Sequence, residues 1–332
     1  MLEIFYLKVF INIVVDSSQT TVYVENISKN RVLNKVEKVF STLILNDEVY
    51  EFILKYMDES PYYYISILNS SQSQGAIPTC DKSKLFFYED VSTSNLLCIN
   101  KKWSSYTSKN ELLSLEQRYA KIGLDFVFSP FVLLANFFKK EMTKEIALYI
   151  LLEDKFISLA IFQHSELVYA QYLYLENQVE DVNLLTYDVD LDEGIDLEDI
   201  DAIEEIDMFD DFSDIEDLDN IDDIDEFSDA QDIGNDISSL DADDSFDGEN
   251  SQETDTFTAD YQRFSLIKNT LNDFYNNEKY ESVFIENVFI ADGTGNGGEL
   301  TSYLKEEMFL TVTFRNINLA SAICDTAKLE IE

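Results

Sequence analysis

The first 175 residues alternate between short apolar runs and polar turns, a pattern typical of strands joined in hairpins. Residues 10–15 (FINIVV) are continuously apolar, and residues 20–25 (TTVYVE) alternate and are rich in β-branched side chains. Together they predict a hairpin whose turn begins at Asp16. A third strand is predicted over 31–42, followed by a helix over 46–56 that has Asn46 as its N-cap.

The same criteria place the remaining elements. Further strands are predicted over 62–68, 85–88, 96–99, 125–128, 145–152, 156–163, 166–175, 282–291 and 311–314, and further helices over 110–122, 131–140, 261–276, 299–308 and 319–328. Residues 69–78 are predicted to be a polar loop. Hairpins are followed by β-α-β units twice along the chain, which predicts an α/β protein with two similar halves.

The acidic charge of the chain is concentrated in one segment. The formal net charge is −43, but residues 181–260 contain 33 acidic residues and no Lys or Arg. The remaining 252 residues carry 33 acidic and 23 basic residues, as in an ordinary globular protein. Like-charge repulsion excludes binding to nucleic acid and disfavours docking on anionic lipid.

Within this segment, apolar residues recur at every third position between Leu197 and Phe227. A period of three matches neither a strand nor a helix, and aspartate is a poor helix former. The pattern predicts a long disordered insert. Three roles remain open: an inert linker, a segment that folds onto a basic protein partner, or a calcium-binding segment that lacks the EF-hand order.

Conventional catalytic and metal-binding patterns do not occur. Cys80, Cys98, Cys324 and His164 have no metal-like spacing, and we expect three reduced thiols. The apolar start of the chain is interrupted by charges, and no apolar stretch reaches the length of a membrane span. These features predict a cytoplasmic protein with no direct membrane insertion.

The strongest local signal is a glycine-rich loop between a predicted strand and a predicted helix. Gly293, Gly295, Gly297 and Gly298 lie within six residues. Such a loop can present backbone N–H groups to a phosphate. The segment fits neither the Walker pattern nor a Rossmann fingerprint.

Three segments in order carry a resemblance to a known superfamily. They are IVVDSSQTTVYV (13–24), EIALYILLEDKFISLAIFQHSELVYAQYL (145–173) and VFIADGTGNGGELTSYLKEEMFLTVTF (288–314). Their order resembles the phosphate-1, phosphate-2 and adenosine motifs of actin-like ATPases. The last segment, with LEQRYAKIGLDFVFSPFVLLANF (115–137), resembles the type IV pilus assembly family PilM and the cytoplasmic part of the type II secretion family GspL.

The resemblance implies an actin-like (ribonuclease H-like), two-lobed α/β fold with a long disordered acidic insertion. It divides the chain into a first lobe (1–140), the start of a second lobe (141–178), the insert (179–260) and the remainder of the second lobe (261–332). The insert occupies the place where relatives carry a subdomain that forms one wall of the nucleotide cleft.

By the same resemblance, a nucleotide would contact Asp16, Ser17, Ser18 and the four loop glycines, Gly293, Gly295, Gly297 and Gly298. The first two motifs lack the glycine that is usual in the superfamily, and the second contains Glu153 and Asp154. Acidic side chains near a triphosphate require a metal. The departures predict a protein without a catalytic role or a cofactor; the alternative is an active ATPase that binds ATP with magnesium.

The resemblance therefore predicts a PilM-like cytoplasmic scaffold, peripheral to the inner membrane. Such a protein would bind the short tail of a PilN-like bitopic membrane protein, by strand addition or in a groove. It would help to assemble a homo-oligomeric ring or platform of a pilus, a type II secretion system or a flagellar-motor accessory structure.

Overall fold

The computed structural model describes residues 6–29, 31–142, 145–175, 250–295 and 297–331, with side chains from residue 259 onward in the fourth range. Residues 179–249 of the predicted disordered insert lie outside these residues, and residues 250–260, which were also assigned to the insert, lie in the helix Asn250–Asn276. The strands are β1 (Lys8–Val15), β2 (Thr20–Ser28), β3 (Arg31–Phe40), β4 (Tyr62–Leu68), β5 (Gln74–Ile77), β6 (Ser94–Ile99), β7 (Trp103–Ser108), β8 (Phe126–Phe128), β9 (Ala147–Leu152), β10 (Phe156–Gln163), β11 (Glu166–Tyr174), β12 (Asn287–Asp292) and β13 (Thr311–Asn316). The helices are α1 (Asp47–Met57), α2 (Leu85–Tyr88), α3 (Lys109–Arg118), α4 (Pro130–Phe137), α5 (Asn250–Asn276), α6 (Gly298–Glu306) and α7 (Leu319–Ile331).

Two five-stranded sheets have the same topology. The strand order is β3-β2-β1-β4-β8 in the first and β11-β10-β9-β12-β13 in the second. In each sheet, three consecutive strands are antiparallel and two later strands add in parallel beside the first of them. This is the ribonuclease H-like strand order, and its repetition in one chain is the actin-like fold. The predicted fold class is confirmed.

Each half contributes a helix to the core of the other. The C-terminal helix α7 packs against β1, β2 and β4 of the first sheet, and α4 packs against β9 and β10 of the second. One apolar core consequently joins Phe10, Phe131, Tyr149 and Ile323. Because both exchanged helices are buried in this core, the loops at the ends of the two sheets are held in a fixed arrangement.

A buried ion pair fixes α7 on the first sheet. The side chain of Glu25 on β2 is fully buried and pairs with Lys328 of α7 and Lys35 of β3. The hydroxyl of Tyr23 donates to the same carboxylate at 2.9 Å. These partners outweigh the desolvation of Glu25 and lower its pKa.

A third, smaller sheet follows β4 in the chain. Its order is β5-β7-β6, all antiparallel, and α2 packs on it through Leu85. The sequence predicted residues 69–78 to be a loop and residues 85–88 to be a strand, and both predictions were wrong. The four residues of β5 contain a glycine, and LFFY (85–88) is too short for its period to separate strand from helix.

The Cys80 and Cys98 thiols, predicted to be reduced, are joined in a disulfide that ties the loop after β5 to β6. Cys324 is a free, buried thiol. The bond spans a sequence separation of 18 residues, so it restricts a sizeable loop of the unfolded chain.

We expect the Cys98→Ser variant to lose about 3 kcal/mol in its free energy of unfolding, the entropic value for a loop of this length. Urea unfolding under non-reducing conditions measures the loss, and the same comparison in excess dithiothreitol provides the control. Equal stability of the two proteins without reductant would show that the bond does not form in solution.

Candidate functional site: the loops between the two sheets

Three chain segments that the resemblance aligned with nucleotide motifs meet at the ends of β1, β9 and β12. Parallel pairing sets Asp292, the last residue of β12, beside Leu152, the last residue of β9. The Gly293 N–H then donates to the Leu152 carbonyl at 3.0 Å. The turn after β1 joins them because Lys155 Nζ donates to the Asp16 carbonyl at 2.6 Å.

The glycine-rich loop is closed by the carboxylate that precedes it. Asp292 is 1% exposed, and its Oδ1 accepts from the Thr294 N–H at 3.0 Å and from the Thr294 hydroxyl at 2.7 Å. Its Oδ2 accepts a long contact, 3.5 Å, from the Gly297 N–H. These N–H groups are of the kind that a phosphate would use, and here they are directed to the protein's own carboxylate.

The N-terminus of α6 is also occupied by a carboxylate. Asp260 of α5 is 1% exposed, and its Oδ2 accepts from the Leu300 N–H at 3.1 Å. An acid placed there satisfies an orphan N–H group and complements the helix dipole. Arg263 binds Asp260 at 3.0 Å and reaches Asp154 at 3.6 Å, so one guanidinium connects α5 to the β9–β10 turn.

Glu153 fills the space beneath Gly293. Its side chain is buried, with 7% of the residue exposed, and its Oε1 has no hydrogen-bond partner. A Cβ at Gly293 would lie 1.7 Å from that oxygen. Burial, with Asp16, Asp154 and Asp292 nearby, raises the pKa of Glu153 well above its ordinary value.

The other predicted residues have separate roles. Asp16 Oδ1 accepts from the Ser17 N–H at 2.6 Å, and Ser18 is exposed. A Cβ at Gly297 would lie 2.9 Å from the Phe314 ring, so that glycine permits tight packing. Gly295 has a φ of +77°, which glycine adopts without strain. Gly298 begins α6 beside open space.

The space left between these loops is small. The cavity lined by Asp16, Glu153, Lys155 and Leu319 has a volume of about 20 Å³. That is room for about one water molecule, whereas ligand pockets are typically about 300–1,000 Å³. A second cavity of about 410 Å³ opens at Asp154 and Arg263, beside Leu266 and Tyr174.

These residues do not fit a bound Mg-ATP at the loops. Glu153 occupies the position beneath Gly293, and the loop N–H groups bond to Asp292 and Asp260. Across the described ranges, no group of three or more His, Cys, Asp or Glu side chains is arranged to hold a metal ion. A triphosphate at the loops would meet the buried carboxylates of Glu153 and Asp292 at close range, and the nearby Lys155 and Arg263 side chains are already bonded to the Asp16 carbonyl and to Asp260.

Sequence reasoning missed three residues of this site: Asp260, Arg263 and Asp292. Asp260 was counted as the last residue of the acidic insert, although α5 begins at Asn250, eleven residues before the predicted helix. Arg263 is the first basic residue after that acidic stretch. The change from the acidic Asp260 to the basic Arg263 within one helical turn could have indicated these two residues in the sequence.

Two family models match the chain. The model described as "Domain of unknown function (DUF8569)" matches residues 5–135, and "Domain of unknown function (DUF8341)" matches residues 148–332, more than half of the chain. The chain belongs to the DUF8341 family. Curated proteins provide no match. The DUF8341 match contains β9, β12 and the glycine-rich loop, so most of the site described above lies in the family's own domain.

Solved structures with similar coordinates have very different sequences. A Bacteroides thetaiotaomicron protein with an actin-like ATPase fold and unknown function covers 98% of this chain and 96% of its own, with 12% identity and a TM-score of 0.48. A PilM–PilN type IV pilus biogenesis complex covers 96% and 89%, with 8% identity and a TM-score of 0.48. The ethanolamine utilization protein EutJ from Carboxydothermus hydrogenoformans covers 96% and 89%, with 7% identity and a TM-score of 0.40. The actin-like fold of this DUF8341 protein is shown by the strand order of its two five-stranded sheets.

Replacing Gly293 tests the contact with Glu153. We expect Gly293→Ala to lower the free energy of unfolding by about 1–3 kcal/mol, the usual cost of overpacking, because its Cβ would overlap the Glu153 carboxylate. The loss should shrink when the change is made in a Glu153→Ala background. Gly298→Ala is the matched control, since its Cβ would meet nothing within 4 Å. Equal losses in both backgrounds would contradict the contact.

The raised pKa of Glu153 predicts a pH dependence of stability. A carboxyl that holds its proton more tightly when folded loses stability as pH rises from its unfolded pKa through its folded pKa. We expect Glu153→Gln to match the wild type near pH 4.5 and to be more stable than it at pH 8, measured by urea unfolding. Glu116→Gln, an exposed acid on α3, is the control. A constant difference across this pH range would contradict burial of the ionised carboxylate.

Proposed function

We propose that this protein is a non-catalytic, PilM-like scaffold that binds the short cytoplasmic tail of a PilN-like bitopic membrane protein. The observation that supports a non-catalytic role is the closure of the glycine-rich loop by Asp292, Asp260 and Glu153. Asp292 and Asp260 do for the fold what a bound phosphate does at a helix N-terminus, since they accept from loop and helix N–H groups, and Glu153 fills the space beneath Gly293.

The small sheet offers the edge that strand addition requires. β6 is the last strand of that sheet, and its outer edge pairs with no described strand. Two large apolar side chains of β6 are exposed to solvent, Leu96 (40%) and Leu97 (62%). An exposed apolar edge favours a partner that adds an extended strand.

The proposed place of action is the cytoplasmic face of the inner membrane. No helix among the described residues is long and apolar enough to span a membrane. In the proposal, the bitopic partner supplies the attachment, and copies of the scaffold form a ring or platform of a pilus, secretion or flagellar-motor machine. The acidic insert would then contact a basic protein of the same machine.

The second candidate function is an active actin-like ATPase that binds Mg-ATP. The cavity of about 410 Å³ beside Arg263 favours it, because that volume suits a nucleoside. In this alternative the phosphates would have to displace Glu153 and break the bonds of Asp292. We rank it second because both carboxylates are buried and that of Asp292 is bonded to the Thr294 N–H and hydroxyl.

The tail-binding proposal predicts a measurable peptide complex. We expect a neighbouring gene to encode a bitopic protein, and a synthetic peptide copied from its cytoplasmic tail to bind the purified chain. Leu97→Lys should weaken binding at least tenfold, because it places a charge on the exposed edge of β6. Fluorescence anisotropy with a labelled peptide measures the affinity.

The control is Leu113→Lys on α3, where the native leucine is also exposed, at 53%. It should leave the affinity unchanged. Absence of binding by the wild type, or equal weakening by the two variants, would overturn the proposed use of this edge.

A further inference from the structure

A cleft of about 400 Å³, separate from the glycine-rich loop, lies where the small sheet meets the second lobe. The small sheet contributes β5, Tyr106 of β7, and Tyr88 and Glu89 at the end of α2. The second lobe contributes Tyr169 and Gln171 of β11 and the segment after α5, which includes Lys279 and Tyr280. A volume of this size falls within the range of ligand sites.

Tyrosine rings form the walls of this cleft. The Tyr280 ring packs against Tyr169, with centroids 4.9 Å apart, and against Tyr88, with centroids 5.7 Å apart. Tyr106 lies directly over Gly75, where an added Cβ would be 2.5 Å from its hydroxyl oxygen. Gly75 thus leaves room for this phenol against the floor of the cleft.

The phenols of Tyr106 and Tyr169 remain neutral, and the charged residues on the lining are Glu89 and Lys279. Burial, with Glu89 and Tyr280 nearby, raises the pKa of Tyr106 to about 12, and burial with Tyr280 and Asp273 nearby raises that of Tyr169 to about 12. At neutral pH these groups present hydroxyls and π faces. Glu89 and Asp273 supply negative charge. The Lys279 ammonium supplies positive charge and donates to the Tyr88 carbonyl at 3.3 Å.

Aromatic faces, phenol oxygens and a carboxylate in one cleft together attract a cation. Guanidinium suits them better than ammonium, because it is planar, stacks on rings and is more weakly hydrated. The proposed partner, a cytoplasmic tail beside a membrane span, is the kind of segment in which Lys and Arg accumulate. An acidic scaffold would attract such a tail.

We propose that the cleft bounded by Tyr88, Tyr106, Tyr169, Tyr280 and Glu89 binds an arginine side chain of a basic peptide partner. This inference rests on the proposed function, because it identifies the residue type by which the tail is recognised. Stacking on the rings orients the guanidinium, and Glu89 balances its charge.

The test compares three labelled heptapeptides with the full-length chain: acetyl-Gly-Ser-Arg-Ser-Arg-Ser-Gly-amide, the same peptide with Lys for Arg, and the same peptide with citrulline for Arg. Fluorescence anisotropy at fixed salt gives each affinity. The Lys peptide matches the charge, and so measures attraction to acidic residues elsewhere. We expect the Arg peptide to bind at least fivefold tighter than the Lys peptide and at least tenfold tighter than the citrulline peptide.

Variants locate the binding. Tyr106→Ala should abolish the preference for Arg over Lys, and Glu89→Gln should weaken the Arg peptide at least fivefold, with Glu116→Gln as the exposed-acid control that changes nothing. Lys279→Met should tighten binding, because a competing cation is removed. Equal affinities for the Arg and Lys peptides, or equal effects of the Glu89 and Glu116 substitutions, would overturn the proposal. If the membrane protein's own tail still bound in that case, the scaffold function would stand without this cleft.

Discussion

The meeting point of the two sheets depends on three buried carboxylates, which lie in or against the segments that resemble the nucleotide motifs of actin-like ATPases. Asp292 closes the loop that follows β12, Asp260 caps α6 from α5, and Glu153 fills the gap beneath Gly293. Each satisfies or blocks a group that a nucleotide would otherwise contact. Helix α7 packs on the first sheet and α4 packs on the second, and both are buried in one shared core. The loops therefore cannot separate without opening this core.

Charged contacts connect the segments around the glycine-rich loop. Arg263 joins Asp260 to Asp154, so α5, α6 and the β9–β10 turn act as one unit. Glu153 differs from Asp260 and Asp292, because its Oε1 is buried without a hydrogen-bond partner. Local features that cost stability are expected at functional or strained sites, and here the cost falls on Glu153, in the turn after β9.

Much of the fold could be predicted because the periodicity of its central strands is clear. β4 was predicted with its observed bounds, and Asn46 caps α1 by accepting from the Val49 N–H at 3.1 Å. In the small sheet β6 was predicted over 96–99, but β5 and β7 were not, since QGAI and WSSYTS carry little apolar alternation and form strands by pairing with each other. The loop glycines and Asp292 were visible in the sequence, but the roles of Asp260 and Glu153 were not, because tertiary packing brings these two carboxylates to the loop. The aromatic cleft was invisible for the same reason: its tyrosines come from four separate segments.

The central claim is that the loops between the sheets are closed to a nucleotide, and calorimetric titration of the folded, full-length chain with Mg-ATP tests it most directly. We expect the heats of Mg-ATP injection to equal the heats of dilution, both for the wild type and for Gly295→Val. A saturable heat with a one-to-one stoichiometry that is lost in Gly295→Val would contradict the account and would favour the ATPase.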